Sequence, residues 1–312
     1  MSSPKWPVGH NIALAPLAVL LVCTVPGCGS KVAEMPHLHP HLAERPAPPK
    51  RVSDRPGNKM GRVYIAMYHH IRAGRGDMFR TVNQFRADLE QYYKLGFRPV
   101  LASAYVENKM SLPSGASPIV LTFDDSNPSQ LQLAKDGTVD PNCAVGIWMA
   151  FAKEHPDFPV HGTFFVLPDS MWGRDDQVSK KLKILTSLGS EIGNHTINHP
   201  FLNRLSDERV KWELGRATAR IAALGVHPPH VMAVPYGVMP RHESLLKGFN
   251  WKGKHVAFIG VFRADGPPAR SPDDPKFTNL RIPRMVATSG SDSVQSFLRL
   301  MAEGKYAPYV QP

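Results

Sequence analysis

The stretch Ile119-Val120-Leu121-Thr122-Phe123-Asp124-Asp125 is an apolar run that ends in two adjacent carboxylates. Its length and its β-branched and aromatic content are typical of a buried strand. Both Asp side chains would then lie at the C-terminal end of the strand, which is the edge where α/β barrels place their active sites. The stretch therefore predicts an α/β fold with a carboxylate pair at its functional edge.

Further along the chain, Asn194-His195-Thr196-Ile197-Asn198-His199 places two imidazoles four positions apart. At this spacing both rings can bind one ion, whether the segment is a helical turn or a tight loop. Two neutral imidazoles and a carboxylate suit one divalent ion, Zn²⁺ first and Co²⁺ or Ni²⁺ as alternatives, and three protein ligands leave a coordination position open, as in catalytic sites.

The general base must lie outside this His-containing stretch. Zinc proteases with the same His spacing carry a Glu directly after the first His, whereas this chain has Thr196 at that position. The adjacent Asp pair offers a solution, because one carboxylate can bind the metal while its neighbour accepts a proton. Taken alone, the pair is equally compatible with a strand end followed by the turn Ser126-Asn127-Pro128.

Short apolar runs alternate with amphipathic segments along most of the chain. The predicted strands are 63–67, 99–101, 119–123, 162–166, 191–193, 231–233 and 256–261, and the predicted helices are 84–95, 178–188 and 207–224. A strand followed by a helix, repeated this often, favours a parallel sheet that is closed or nearly closed. The stretch 127–161 is longer than most connections in such folds, and we expect it to fold as an insert that borders the cleft.

The N-terminal part of the chain is predicted to lie outside the folded domain. An apolar run at 12–25 is too short to span a bilayer and is typical of a signal peptide, here residues 1–27. Val25-Pro26-Gly27-Cys28 matches a lipoprotein cleavage site, so we expect a lipid on Cys28 and an exported, membrane-anchored protein in the periplasm or at the cell surface. A secreted chain that keeps Cys28 and an uncleaved anchor are the alternatives.

Residues 28–61 are dense in Pro and basic side chains and are predicted to be a disordered linker, which leaves 62–312 as the catalytic domain. The linker contains His37, His39 and His41, and alternating His in such a tether is more often solvated than metal-bound. Once Cys23 is removed and Cys28 is lipidated, Cys143 is alone, so no intramolecular disulfide is expected.

The chain has a formal net charge of +11. Such a charge favours acidic partners, for example an anionic polymer or lipid of the cell envelope, and a uniformly solvated basic surface is the alternative. We do not expect nucleic acid as a partner, because the sequence lacks a compact Arg/Lys cluster with interleaved aromatics. The sequence gives no indication of protein partners.

The motifs together resemble the polysaccharide deacetylases of carbohydrate esterase family 4, which contain the NodB-homology domain. The resemblance covers about residues 62 to 290. It rests on Thr122-Phe123-Asp124-Asp125-Ser126, on His195 to His199, on Ala233-Val234-Pro235-Tyr236-Gly237 and on the strand Gly162-Thr163-Phe164-Phe165-Val166. Two further segments, Met67-Tyr68-His69-His70-Ile71 and 79–85, are similar to the subgroup that deacetylates exported poly-N-acetylglucosamine.

This resemblance implies a distorted (β/α) barrel and a role for each site residue. Asp124 would be the general base, and the backbone N–H of Tyr236 would stabilise the oxyanion. Asp125, His195 and His199 would bind the metal. The implied reaction is metal-assisted removal of N-acetyl groups from a glycan that contains N-acetylglucosamine, with release of acetate.

The chain departs from the family pattern in two places. Ala233 stands where the family has the Arg that orients the base, and no Leu-x-His motif follows near the C-terminus. We expect Arg284 to replace the Arg and His69 to replace the acid, with His70 as the alternative to His69. Because of these departures, an O-acetyl polysaccharide esterase and a catalytically weak glycan-binding protein remain as alternative functions.

Overall fold

The computed structural model describes residues 52–173, 176–288 and 293–312. The predicted signal peptide, Cys28, and the linker as far as residue 51 lie outside this range, so they remain predictions. Within the described residues, none of the helices has the length and apolar character that crossing a membrane requires.

Strands and helices alternate along the described residues. The strands are β1 Arg62–Tyr68, β2 His70–Ile71, β3 Phe79–Arg80, β4 Phe97–Pro99, β5 Ser117–Phe123, β6 Gly162–Val166, β7 Glu191–Asn194, β8 Val231–Ala233, β9 Phe249–Trp251, β10 Lys254–Val256, β11 Gly260–Phe262, β12 Ala269–Arg270 and β13 Met285–Val286. The helices are α1 Val82–Lys94, α2 Ala102–Val106, α3 Ala144–Glu154, α4 Val178–Ser187, α5 Asp207–Ala223, α6 Ser244–Lys247 and α7 Val294–Ala302.

The main sheet is curled into a distorted barrel, as predicted. Its strand order is β11-β8-β7-β6-β5-β1-β12, with β4 added beside β5 and β13 beside β1. All of these pairings are parallel except that of β12 with β1. The short segment 282–286 bridges the two sides of the curled sheet through its pairings. Ile282 pairs with Phe262 of β11, and Met285 and Val286 pair with β1.

The barrel has an apolar interior and an outer shell of helices. Side chains from alternating strand positions fill the interior, among them Ile65, Val120 and Phe165. The opposite faces of the same strands pack under α1, α3, α4 and α7. This alternation is what a sheet covered on both faces requires, and it explains why the strand sequences are apolar at nearly every position.

The insert at 127–161 contributes to the core as well as to a surface cavity. Its second half contains α3, which connects β5 to β6 and buries Trp148 completely among the aromatic side chains of the outer shell. The first half, 127–143, lines a separate surface cavity. The predicted strand 256–261 is also wrong as one element: β10 ends at Val256 because it pairs with β9 in a separate hairpin, and β11 begins at Gly260.

Residues 52–61, which the sequence assigns to the linker, pack against the domain. The Val52 N–H donates to the carbonyl of Ser114 at 2.9 Å, and the Ser53 hydroxyl donates to the carbonyl of Gly115 at 2.7 Å. Asn58 forms a β-bridge with Val310 near the C-terminus. The folded unit therefore begins at or before Val52.

Candidate metal centre

The C-terminal ends of two parallel strands, β5 and β7, which flank β6, bring the predicted site residues together. Asp124 and Asp125 follow β5, and His195 follows β7. The Asp125 Oδ1 atom lies 3.3 Å from His195 Nε2 and 3.4 Å from His199 Nε2. The three possible ligand atoms lie within 4.8 Å of one another, a separation that one ion can bridge. The described residues thus contain the predicted Asp-His-His triad in one cluster.

The hydrogen bonds of the triad fit a divalent cation. His195 Nδ1 lies 2.8 Å from the Ala233 carbonyl oxygen, which can only accept, so Nδ1 carries the proton and Nε2 keeps its lone pair. His195 Nε2 and Asp125 Oδ1 are both buried without a hydrogen-bond partner. Buried polar atoms are costly when unpaired, and a cation between them would satisfy both. The residues present therefore fit the metal that the sequence predicts.

Electrostatics favours the ligand form of Asp125 and of His199. For His195, burial alone would lower the pKa, but the Asp124 and Asp125 carboxylates raise it. Burial by itself would raise the pKa of the Asp125 carboxyl, but the adjacent His195, His69 and His199 rings hold that pKa well below its usual range. Burial, together with the nearby His195, lowers the pKa of His199. An ionised carboxylate and a neutral imidazole are the forms that bind a divalent ion.

The backbone around the triad is strained. Asp125, Thr196, His199 and Tyr236 have φ values of 67°, 71°, 52° and 57°, which non-glycine residues rarely adopt. Each such conformation costs about 1–3 kcal/mol and persists only where the surroundings impose it. Surrounding contacts must therefore hold the loops in place.

Glu213 of α5 supplies the main such contact, and its role was not predicted from the sequence. This buried carboxylate accepts hydrogen bonds from the Ile197 N–H at 3.2 Å, the Asn198 N–H at 3.0 Å and the Asn198 side chain at 2.9 Å. It thus fixes the loop between His195 and His199. A signal was present in the sequence, because Glu213 lies on the apolar face of α5 beside Val210 and Leu214.

Asp124 is held by Arg284, as expected from the sequence. Arg284 Nη1 and Nη2 donate to the two carboxylate oxygens of Asp124 at 2.7 and 2.6 Å, and Nη1 also donates to the Thr122 hydroxyl. Burial would raise the pKa of Asp124, but the Arg284 guanidinium and the neighbouring His195 keep it below its usual value. Arg284 lies in the short segment 282–286, which pairs with β11 at one end and with β1 at the other, so the closure of the barrel brings this guanidinium to Asp124.

His69 faces the same centre from β1. Its Nε2 lies 4.0 Å from Asp125 Oδ2, and its Nδ1 is buried without a partner. Burial lowers the pKa of His69, although Asp124 and Asp125 oppose that effect. Gln130 fixes the backbone here, because its side-chain amide donates to the carbonyls of both His69 and Asp124. His70 lines the cavity beside His69 and stacks on Phe79.

Tyr236 forms an exposed wall of the site. Its side chain is 53% exposed. The ring stacks on Phe201 with centroids 4.0 Å apart and meets the His199 ring edge-on at 4.5 Å. Tyr236, Met78 and the predicted site residues line one cavity of about 250 Å³.

Comparisons with known proteins agree with this geometry. The polysaccharide deacetylase family model matches residues 112–247, which contain both Asp residues, both His ligands and Tyr236. Among curated proteins, none matches the chain.

Solved structures show the same fold at low sequence identity. Deacetylase PplD from Streptococcus pyogenes, in complex with acetate, has a TM-score of 0.56 at 18% identity; the match covers 78% of this chain and 99% of PplD. A de-N-acetylase from Aggregatibacter actinomycetemcomitans has a TM-score of 0.52 at 14% identity and coverages of 76% and 99%.

A third structure, BA0330 from Bacillus anthracis, has a TM-score of 0.54 at 16% identity over 72% of this chain. The match spans only 64% of the length of BA0330. The family model thus matches the central part of the sequence, and the solved deacetylases share the fold of this chain.

Proposed function

We propose that this protein is an exported, metal-dependent deacetylase that removes N-acetyl groups from a glycan containing N-acetylglucosamine. The observation that carries the proposal is the buried pair of Asp124 and Arg284 directly beside the Asp125-His195-His199 triad. A hydrolase needs both a metal and an oriented base, and these residues supply a place for each. The de-N-acetylase from Aggregatibacter actinomycetemcomitans, which shares the fold, supports the choice of an amide substrate.

The division of labour between the two Asp residues follows from their contacts. Asp125, His195 and His199 would hold the divalent ion, with Zn²⁺ the first choice. An ion bound there would act as a Lewis acid on the acetyl carbonyl and make water acidic enough to lose a proton near neutral pH. Asp124 lies beside it, with Oδ2 at 3.8 Å from His195 Nε2, and it stays ionised against Arg284. Asp124 is therefore the base that accepts the proton of the attacking water.

Two other groups complete the reaction in this proposal. The backbone N–H of Tyr236 stabilises the negative charge that develops on the acetyl oxygen, and one such donor contributes about 3–4 kcal/mol. His69 faces the same cavity and returns a proton to the amine as acetate separates. The strained φ of Tyr236 supports its part, because strain at an active site is a sign that the local backbone direction is imposed.

An O-acetyl ester is the second candidate substrate class, and one observation favours it. His69 Nδ1 has no hydrogen-bond partner, so no described residue orients this ring as an acid. An alcohol leaves more easily than an amine and needs less help from a proton donor. A purely glycan-binding role is less well supported, because binding does not require the fully buried Asp124–Arg284 pair.

We further propose that the protein acts outside the cytoplasm and is anchored through a lipid on Cys28. The support is the sequence of residues 1–28, with its apolar run and its lipoprotein cleavage pattern. Metabolic labelling with a radioactive fatty acid tests this part separately. We expect label in the wild-type chain and none in Cys28→Ala, while a labelled variant would contradict the assignment.

The decisive experiment is acetate release from N-acetylglucosamine oligomers by the full-length chain. The protein is stripped of metal and then supplied with Zn²⁺, Co²⁺ or Ni²⁺. We expect release only with metal. Asp124→Asn should bind metal with the wild-type stoichiometry and release no acetate, because it lacks the base and keeps all three ligands. Turnover by this variant would remove Asp124 from the mechanism.

Absence of acetate with every metal, despite bound metal, would contradict the N-deacetylase proposal. Acetylated xylan is the matched second substrate, since it carries esters in place of amides. Release from xylan alone would establish the O-acetyl esterase, and release from neither substrate would favour the binding role.

A further inference from the structure

A second cavity lies beside the metal centre, and neither the family motifs nor the proposed mechanism uses it. Its volume is about 470 Å³, which lies within the range of small-molecule binding sites. It is formed by the end of β2, the start of α1 and the first half of the insert, 127–143. We propose that this cavity binds a neighbouring, non-reacting sugar unit of the same glycan chain, an inference that rests on the proposed function.

The two cavities are adjacent along two separate backbone segments. Asn127 lines the second cavity and follows Asp125 by two residues, a span of at most about 7 Å. On the other side, His70 lines the metal cavity and Ile71 lines the second one. Units of one polymer that enter both cavities would therefore be close in the polymer as well.

A stack of three side chains extends from the metal cavity to the second cavity. The His70 ring, which lines the metal cavity, stacks on the Phe79 ring with centroids 4.4 Å apart, and the Arg72 guanidinium lies over the same Phe79 ring, 5.3 Å from its centroid. Arg72 then lines the second cavity. Among the described residues Arg72 has no acidic partner, so its donors are available to a ligand.

The second cavity is preformed. The Ser129 hydroxyl accepts from the Ile71 N–H at 2.8 Å and donates to Asn127 Oδ1 at 2.7 Å, which joins the insert to β2. The N–H groups at the start of α3 donate to the carbonyls of Ser129 and Gln130. A rigid site avoids the entropy cost of ordering loops when a ligand binds.

The chemistry of the lining matches a neutral sugar. Arg72 and the Asn142 amide offer hydrogen-bond donors, while Asp140 keeps one carboxylate oxygen beyond the bond it accepts from the Asn142 N–H. Sugar hydroxyls both donate and accept, so they fit this mixture. A free anion would meet Asp140 and a free cation would meet Arg72. Val82 and Pro128 add an apolar surface for the C–H groups of a sugar ring.

The inference predicts that the glycan binds more tightly as it becomes longer, and that Arg72 contributes to this gain. We would measure binding of N-acetylglucosamine and of its hexamer by calorimetry, using the full-length chain with Asp124→Asn so that no turnover occurs. The measured quantity is the ratio of hexamer to monomer affinity. Arg72→Ala should lower this ratio by about tenfold, which corresponds to the loss of one polar contact of about 1.4 kcal/mol.

Arg75→Ala is the matched control, because Arg75 lies on the same exposed loop and lines neither cavity. It should leave the ratio within twofold of the wild-type value. A hexamer that binds no more tightly than the monomer, or an Arg72→Ala variant with an unchanged ratio, would overturn the inference. Because binding is measured without turnover, loss of the length effect is distinguishable from failure of the deacetylase proposal, which acetate release by the chain with Asp124 tests independently.

Discussion

Replacement of Arg284 by Met is the change that most sharply tests how the base is held. Arg284 is fully buried, Asp124 is 2% exposed, and the two are joined by hydrogen bonds of 2.7 and 2.6 Å. Met keeps the unbranched stem and removes the guanidinium, so a buried carboxylate is left without its partner. Removing one member of a buried ion pair costs about 3–5 kcal/mol of folding free energy. This is a large part of the ~5–15 kcal/mol that stabilises an ordinary domain.

A double-mutant cycle separates this electrostatic cost from lost packing. Asp124→Asn removes the charge with little change of shape, so Arg284→Met together with Asp124→Asn leaves no buried charge in the pair. We therefore expect the double variant to be more stable than Arg284→Met alone, with a coupling free energy of at least about 2 kcal/mol. The assay is urea unfolding of the full-length variants at one pH, with metal removed so that metal binding does not contribute.

Activity gives an independent measure of the same contact. Arg284→Met should lower the rate of acetate release by about a hundredfold or more, the usual contribution of a positioned base, while metal stoichiometry stays at the wild-type value. An additive cycle, in which the double variant loses the sum of the two single losses, would refute the argument that the pair is coupled. Unchanged turnover in Arg284→Met would refute the positioning role.

Three further predictions concern the loop, the metal and the start of the domain. Glu213→Gln should weaken metal binding by about 10- to 100-fold, because the loop between His195 and His199 loses a hydrogen-bond acceptor; a competition titration with a chelating dye measures this. The control is Glu208→Gln, an exposed position on the same helix. Equal metal affinities of Glu213→Gln and Glu208→Gln would contradict the role of Glu213. His199→Ala should reduce both bound metal and acetate release, and full metal occupancy in this variant would exclude His199 as a ligand. A chain that begins at Arg62 should unfold at lower urea than one that begins at Val52, by about 2 kcal/mol for the lost hydrogen bonds, and equal midpoints would show that 52–61 is only a linker.

Much of the fold follows from local pattern. Apolar runs such as Ile119 to Phe123 are recognisable as strands because every position is buried, and the amphipathic spacing of α5 is recognisable because only one face is buried. The prediction of one strand at 256–261 was wrong, because a continuous apolar run does not show which neighbour each part pairs with. The role of α3 as a buried crossover was likewise missed, because length alone does not distinguish an insert from a crossover helix.

The metal triad depends on chemistry that the sequence displays directly. Asp125, His195 and His199 have the residue types and the spacing of a divalent site, and the position of Asp125 after a strand indicates the edge of the sheet at which they meet. The role of Arg284 was predicted because Ala233 stands where the family motif has an Arg. Only the structure shows the contact of Arg284 with Asp124.

By itself, the sequence determined the fold class and the residue types of the candidate metal site, including the adjacent carboxylate, because these depend on residue type, burial pattern and short-range spacing. The sequence offered Arg284 only as a substitute for the missing Arg, and the tertiary structure shows that it reaches Asp124 from 160 positions away. The tertiary structure also decided that Glu213 holds the His loop, and that the insert and β2 together form a second cavity. These features depend on which strands become neighbours when the barrel closes, and no local pattern in the chain encodes that choice.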